Sequence, residues 1–165
     1  MRVPIRRAEK NKRQSIDYCV TQAKFDELRR QLEKLKKAQP AAISEVERLA
    51  QMGDFSENAA YQIAKGRLRG LNQRILELSE FLARAQIIKR NEKTDFVQVG
   101  HLITIKNNAS EKTYRILGAS ETNPGAGVIS RHSPLGSALL NKKVGDKVTI
   151  KMANKETVWE IVEIK

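Results

Sequence analysis

The stretch from Phe25 to Leu49 reads FDELRRQLEKLKKAQPAAISEVERL, with Phe25, Leu28, Leu32, Leu35, Gln39, Ala42, Val46 and Leu49 spaced in alternating steps of three and four. That spacing is a heptad seam, the mark of a helix that buries one stripe against another helix. After a break the same steps return at Tyr61, Ala64, Leu68, Leu71, Ile75, Leu78, Leu82 and Ala85. Two seams folded antiparallel must pair residues whose numbers share a constant sum. Leu49 with Tyr61, Val46 with Ala64, Ala42 with Leu68, Leu35 with Ile75, Leu28 with Leu82 and Phe25 with Ala85 all meet that condition. The turn is therefore centred on Phe55, and Gly53 beside it supplies backbone freedom. The spacing predicts a first helix from about Thr21 to Met52, roughly 48 Å long at 1.5 Å per residue. A small globular domain needs nothing so long, so a finger that reaches into something is the natural reading.

Three residues sit poorly in this pattern. Pro40 is expected to kink the first helix or break it in two. Gly66 and Gly70 each cost the second helix roughly 1 kcal/mol relative to Ala. Their spacing puts them on one face, where they either admit a partner closely or do nothing.

Beyond Val97 the period falls to two. Val99–Ile105, Thr113–Leu117, Val128–Ser130, Lys147–Ile150 and Thr157–Ile164 read as strands, with turns at Asn123-Pro124-Gly125 and Val144-Gly145-Asp146. Ser133-Pro134 opens a short helix with Ser133 as N-cap. Trp159 is assigned to the core. The expected organisation is α+β: a basic flexible tail over residues 1–17, an antiparallel hairpin over 18–90 with its tip at 53–58, and a small β-rich domain over 91–165.

Charge narrows the function. The net charge is +12, and residues 1–90 hold 20 Lys and Arg against 11 Asp and Glu, a net +9. A polyanion is the expected partner, and the first half is the part that meets it. Nucleic acid, RNA or DNA, fits better than a membrane, since no segment pairs a basic face with bulky apolar anchors. Cys19 is the single cysteine, which excludes an internal disulfide and a Cys-based zinc site. His101 and His132 have no ligand-spaced neighbours and are read as surface or internally satisfied. With no long apolar run and no signal-like N-terminus, a cytoplasmic protein is expected.

Asp54-Phe55-Ser56-Glu57 stands where the chain must turn. Locally this is close to a capping box, with Asp54 capping and Glu57 reaching back. The other reading gives the carboxylates a chemical role. Their oxygens suit Mg²⁺, which takes one or two protein carboxylates and keeps several waters. Such a pair completes a metal site held by another protein, where it helps orient water for attack on a phosphodiester.

Gly53-Asp54-Phe55-Ser56-Glu57-Asn58-Ala59-Ala60-Tyr61 resembles the tip motif of the bacterial Gre transcript cleavage factors (GreA and GreB). The resemblance runs from about Tyr18 to Lys165. It includes Pro40, Ala85-Gln86-Ile87-Ile88, Ile129-Ser130 through Ser133-Pro134, and Ala138 to Asp146. It implies a coiled-coil hairpin followed by an FKBP-like domain, a monomer whose hairpin enters the secondary channel of RNA polymerase. It further implies that Asp54 and Glu57 share the polymerase Mg²⁺ while the enzyme cuts the extruded 3′ end of backtracked nascent RNA. The factor itself is then no enzyme, and binds no cofactor stably. Ser56 matches the motif serine, as water-orienting group or cap, and Phe55 is an apolar tip residue. Tyr61-Gln62, Lys65, Arg67, Arg69, Arg74 and the Trp159 strand look more like GreB. With Arg29, Arg30, Lys34, Lys36 and Lys37 opposite, these cations suit a basic track along RNA or a solvated helix surface. Ala60 stands where the family often has an acid, and the tail before Ile16 is an addition. A Gre-fold inhibitor that occupies the channel without cleavage is one competing function, and a plain nucleic-acid-binding coiled coil in which Asp54 and Glu57 only cap the helix is another.

Overall fold

A computed structural model describes residues 16–52, 58–88, 95–107, 110–152 and 155–165. Two long antiparallel helices, α1 (Gln22–Ala50) and α2 (Ala59–Arg84), form the hairpin. From Leu28 to Leu49 every shielded residue of α1 is a seam residue: Leu28, Leu32, Leu35, Gln39, Ala42, Val46 and Leu49. On α2 the shielded stripe likewise follows Tyr61, Ala64, Leu68, Leu71, Ile75, Leu78 and Leu82. The register follows the expected pairing, for Gln39 donates to Asn72 across the seam at 2.8 Å. Fully burying an aliphatic seam side chain such as Leu28 or Leu78 contributes roughly 1.5–3 kcal/mol. The seam residues that are only partly shielded contribute a fraction of that.

Helix α1 runs unbroken through Pro40. The ring removes one backbone bond, but position 40 faces solvent, where water reaches the orphaned carbonyl. The seam on either side, with the Gln39–Asn72 bond, keeps the two halves on one partner. Gly66 and Gly70 lie on the exposed side of α2, and a Cβ at either would meet nothing within 4 Å.

Two short strands close the base of the hairpin. β1 (Cys19–Val20) precedes α1, β2 (Gln86–Ile87) follows α2, and they pair in parallel with Cys19 opposite Gln86. Antiparallel helices prolonged straight would give an antiparallel pair, so at least one strand turns off the helix axis. The extended backbone of Thr21 and of Ala85 at the helix ends provides that turn.

The second domain is a five-stranded sheet with a helix on its inner face. Its strands are β3 (Leu102–Lys106), β4 (Glu111–Leu117), β5 (Val128–Ser130), β6 (Lys147–Met152) and β7 (Lys155–Ile164). Their order is β5-β4-β3-β7-β6, with only the β4–β5 pair parallel. Alternation sends Ile103, Ile105, Ile116, Val148, Ile150, Trp159 and Ile161 to one face. There they meet Leu139 of α3 (Pro134–Leu139). Ser133 caps α3 by accepting from the Gly136 amide at 3.0 Å, as its sequence predicts. The first of these strands begins three residues later than the expected Val99, because residues 99–100 form a turn with Gly100 at φ +104°.

Of the tail expected over residues 1–17, residues 1–15 lie outside the described residues, and its inner end is corrected. Asp17 is buried and bonded to groups more than a hundred residues away. Partners so distant in sequence leave no local trace.

Candidate functional site

The far end of the hairpin is closed by Asn58. Its side-chain amide donates to the Leu49 carbonyl at 3.1 Å, and its amide oxygen accepts from the Tyr61 amide at 3.0 Å. Asn58 is therefore the N-cap of α2. Asp54, Phe55, Ser56 and Glu57 lie outside the described residues, in the sequence between Met52 and Asn58. A capping box led by Asp54 would start the second helix at residue 55, yet α2 starts at Ala59 with its own cap. Asn58 satisfies the first-turn amide of Tyr61, and the capping reading of Asp54 and Glu57 falls on residues outside those described.

Lys65, Arg67, Arg69 and Arg74 are all exposed on α2, but they do not form one row. At about 100° per residue, Lys65 and Arg69 fall on one flank of the helix, and Arg67 and Arg74 on the other. Lys65 and Arg69 border a shallow groove of about 450 Å³ floored by Leu68 and Leu76, with Asn72 and Gln73 along it. Lys65 also stands 5.6 Å over the Tyr61 ring. Arg74 lines a different crevice, near Lys24 and Phe81, and pairs with Glu77 at 3.6 Å. Bare backbone at Gly66 and Gly70 separates the two flanks.

The base of the hairpin holds a cluster that the sequence reading missed. Asp17 Oδ1 accepts from the Cys19 amide at 3.1 Å and pairs with Arg131 Nη2 at 2.9 Å. Its Oδ2 accepts from the Ala119 amide at 3.1 Å. Burial alone would raise the Asp17 pKa. The amides of Cys19 and Ala119 and the Arg131 guanidinium outweigh it and hold the carboxyl below its usual value. Arg131 Nε donates to His132 Nε2 at 3.2 Å, and His132 Nε2 lies 3.6 Å from Asp17 Oδ2. Burial pushes the Cys19 thiol up, Arg131 opposes this, and Asp17 adds to it. Beside this cluster, Glu121 accepts from the Thr21 amide at 2.8 Å and from the Thr21 hydroxyl at 2.6 Å. No motif marks Asp17 or Glu121, and Arg131 lies within the 129–134 stretch of the resemblance with no role assigned to it. Only the helix start at Thr21 hinted that an acid nearby would be useful.

His101 is buried and its Nδ1 accepts from the Gln98 amide at 3.3 Å. Among the described residues no group of three or more His, Cys, Asp or Glu could hold a metal ion, and no helix is long and apolar enough to cross a membrane.

Residues 18–87 match the family model described as transcription elongation factor, N-terminal, and residues 92–165 match that described as transcription elongation factor, GreA/GreB, C-term. The chain is 36% identical over 149 residues to the transcription elongation factor GreA of a Nitratiruptor species, spanning 88% of this chain and 91% of that relative. It is 37% identical over 150 residues to GreA of Nautilia profundicola, spanning 88% and 92%. A crystal structure of GreA factor homolog 1 (Gfh1) of Thermus thermophilus aligns over 90% of this chain and 99% of that one, at 22% identity and a TM-score of 0.42.

Proposed function

Because the chain belongs to the GreA/GreB family of transcription elongation factors, we propose that it stimulates RNA cleavage by stalled bacterial RNA polymerase, with Asp54 and Glu57 as the acting pair. The hairpin enters the secondary channel of the elongation complex and brings its apex to the 3′ end of backtracked RNA. The factor contributes groups, and hydrolysis belongs to the polymerase. Cleavage leaves a new 3′ end in the active centre, from which synthesis resumes.

The observation that carries this reading is the division of labour around the apex. Asn58 caps α2, and beside it in the sequence stand two acids three residues apart in a strongly basic half of the chain. Their oxygens are the donor type Mg²⁺ prefers, but two carboxylates do not fill its octahedral shell. Asp54 and Glu57 therefore suit a shared site whose other ligands come from the polymerase. The ion, when bound, stabilises charge on the phosphodiester and makes water more acidic. Ser56 orients that water or a carboxylate by hydrogen bonding, and Phe55 supplies apolar contact on docking. The rows Lys65–Arg69 and Arg67–Arg74 meet RNA phosphates, giving salt-dependent and sequence-independent affinity.

The test is transcript cleavage in backtracked elongation complexes with wild type, Asp54→Ala and Glu57→Ala. Mg²⁺-dependent shortening is expected with wild type, and a loss of roughly 100-fold or more with either variant, while helix content and polymerase binding persist. Equal activity in all three proteins would end the reading. Stalling without cleavage would point to a channel-occupying inhibitor instead.

A further inference from the structure

We propose that the Asp17–Arg131 and Thr21–Glu121 contacts form a two-point clasp that fixes the direction of the hairpin relative to the C-terminal domain. Asp17 and Glu121 are on this view positioning residues for the apex. The functional half of the inference rests on the reading given above; the structural half stands without it.

The clasp joins the two bodies at two separate places. Asp17 belongs to the extended segment before α1, and its side chain is 1% exposed. It is gripped from two segments of the other domain, the turn at Ala119 and the loop at Arg131 after β5. A carboxylate held on both oxygens resists rotation as well as separation. The second point lies a few residues on. Glu121 binds the Thr21 amide and hydroxyl with its two oxygens, while the same hydroxyl accepts from the Lys24 amide at 3.2 Å and caps α1. A carboxylate of the C-terminal domain thus holds the cap of the hairpin's first helix, where negative charge also suits the helix dipole.

Between these points the backbones touch. A Cβ on Gly118 would lie 1.8 Å from the Cys19 carbonyl oxygen, so the approach exists only because residue 118 lacks one. A Cβ on Gly100 would likewise lie 2.9 Å from Ile88 Cγ2.

Lever length explains why so much bonding is concentrated here. Helix α1 has 29 residues and is about 44 Å long. An angular play of about 5° at its base moves the far end by roughly 4 Å over that length. A misplacement of about 1 Å at a reacting centre costs on the order of 100-fold in rate. An apex that must meet a fixed metal tolerates almost no play at the base. The fold answers with charged, part-buried bonds where a plain linker would swing.

The experiment uses the full chain with spin labels at Ser44→Cys on α1 and Glu160→Cys on β7, in a Cys19→Ala background. Pulsed dipolar spectroscopy is expected to give one narrow distance distribution. Asp17→Ala with Glu121→Ala is expected to broaden it roughly two-fold or more, with helix content unchanged by circular dichroism. At saturating factor, cleavage in backtracked complexes should then fall about ten-fold or more. Thr21→Ser keeps both bonds to Glu121 and should behave as wild type in both measurements. If the double variant does not fold, Asp17→Asn and Glu121→Gln, which preserve shape, replace it with the same expectation at smaller amplitude. An unchanged distance distribution in the folded variants would overturn the clasp. A wild type that never cleaves would overturn the proposed function and leave the distance result to judge the clasp alone.

Discussion

Asn58 ties the start of α2 to the end of α1 by donating its side-chain amide to the carbonyl of Leu49 at 3.1 Å, while its oxygen serves the Tyr61 amide. One side chain therefore caps a helix and closes a turn, so its two functions can be separated by substitution.

Asn58→Asp keeps the acceptor for Tyr61 and loses the donor to Leu49, whereas Asn58→Ala loses both. Alanine is expected to cost about 1–2 kcal/mol, the sum of a lost cap and a lost hydrogen bond. Aspartate should cost less than half of that, since it caps as well as asparagine. Urea unfolding of the three proteins measures the difference, and equal losses would mean that the cap contributes nothing.

The glycines of the hairpin and of the junction respond in opposite ways. Gly66→Ala and Gly70→Ala fill open space on a helix and should each stabilise the protein by roughly 1 kcal/mol. Gly118→Ala drives a methyl into the Cys19 carbonyl and should destabilise or displace the junction. Thermal unfolding tests the first pair. If those alanine proteins are stabler yet cleave poorly in backtracked complexes, the bare face between the two basic flanks meets a partner.

Acid should loosen the junction through Asp17. Its folded pKa is depressed, so its contribution is complete above the ordinary carboxylate range and is lost as pH falls through the folded value. The groups facing it are Arg131, His132 and Cys19. His132 lies 3.6 Å from Asp17, so it needs its own control. Asp17→Asn should show a flatter loss of stability below about pH 4 than wild type. Unfolding midpoints between neutral and acid pH, with His132→Gln as the control for the imidazole, decide it; parallel curves for wild type and Asp17→Asn would remove Asp17 from the balance.

Much of the fold is legible in the sequence. Two heptad seams can bury themselves together in one antiparallel register only, and the Gln39–Asn72 bond across the helices lies within one residue of it. In β7 Trp159 and Ile161 turn inward and Val158 and Val162 outward, as a period of two demands, until a register shift against β3 brings Ile164 onto the core. The basic residues of α2 are legible as a set but not as two flanks, because composition carries charge and only helical phase carries direction. Ser133 reads correctly as a cap because its partner is three residues away. Asp17 reads as part of a tail because its partners are Ala119 and Arg131.

What the sequence determined by itself is therefore whatever is periodic or local: the rod, the alternating sheet, the caps, and a pair of acids between two helices. The tertiary structure alone decided how the rod is aimed. That direction depends on single charged contacts between segments a hundred residues apart and on one glycine without which two backbones could not touch. Such contacts have no period for a sequence to repeat.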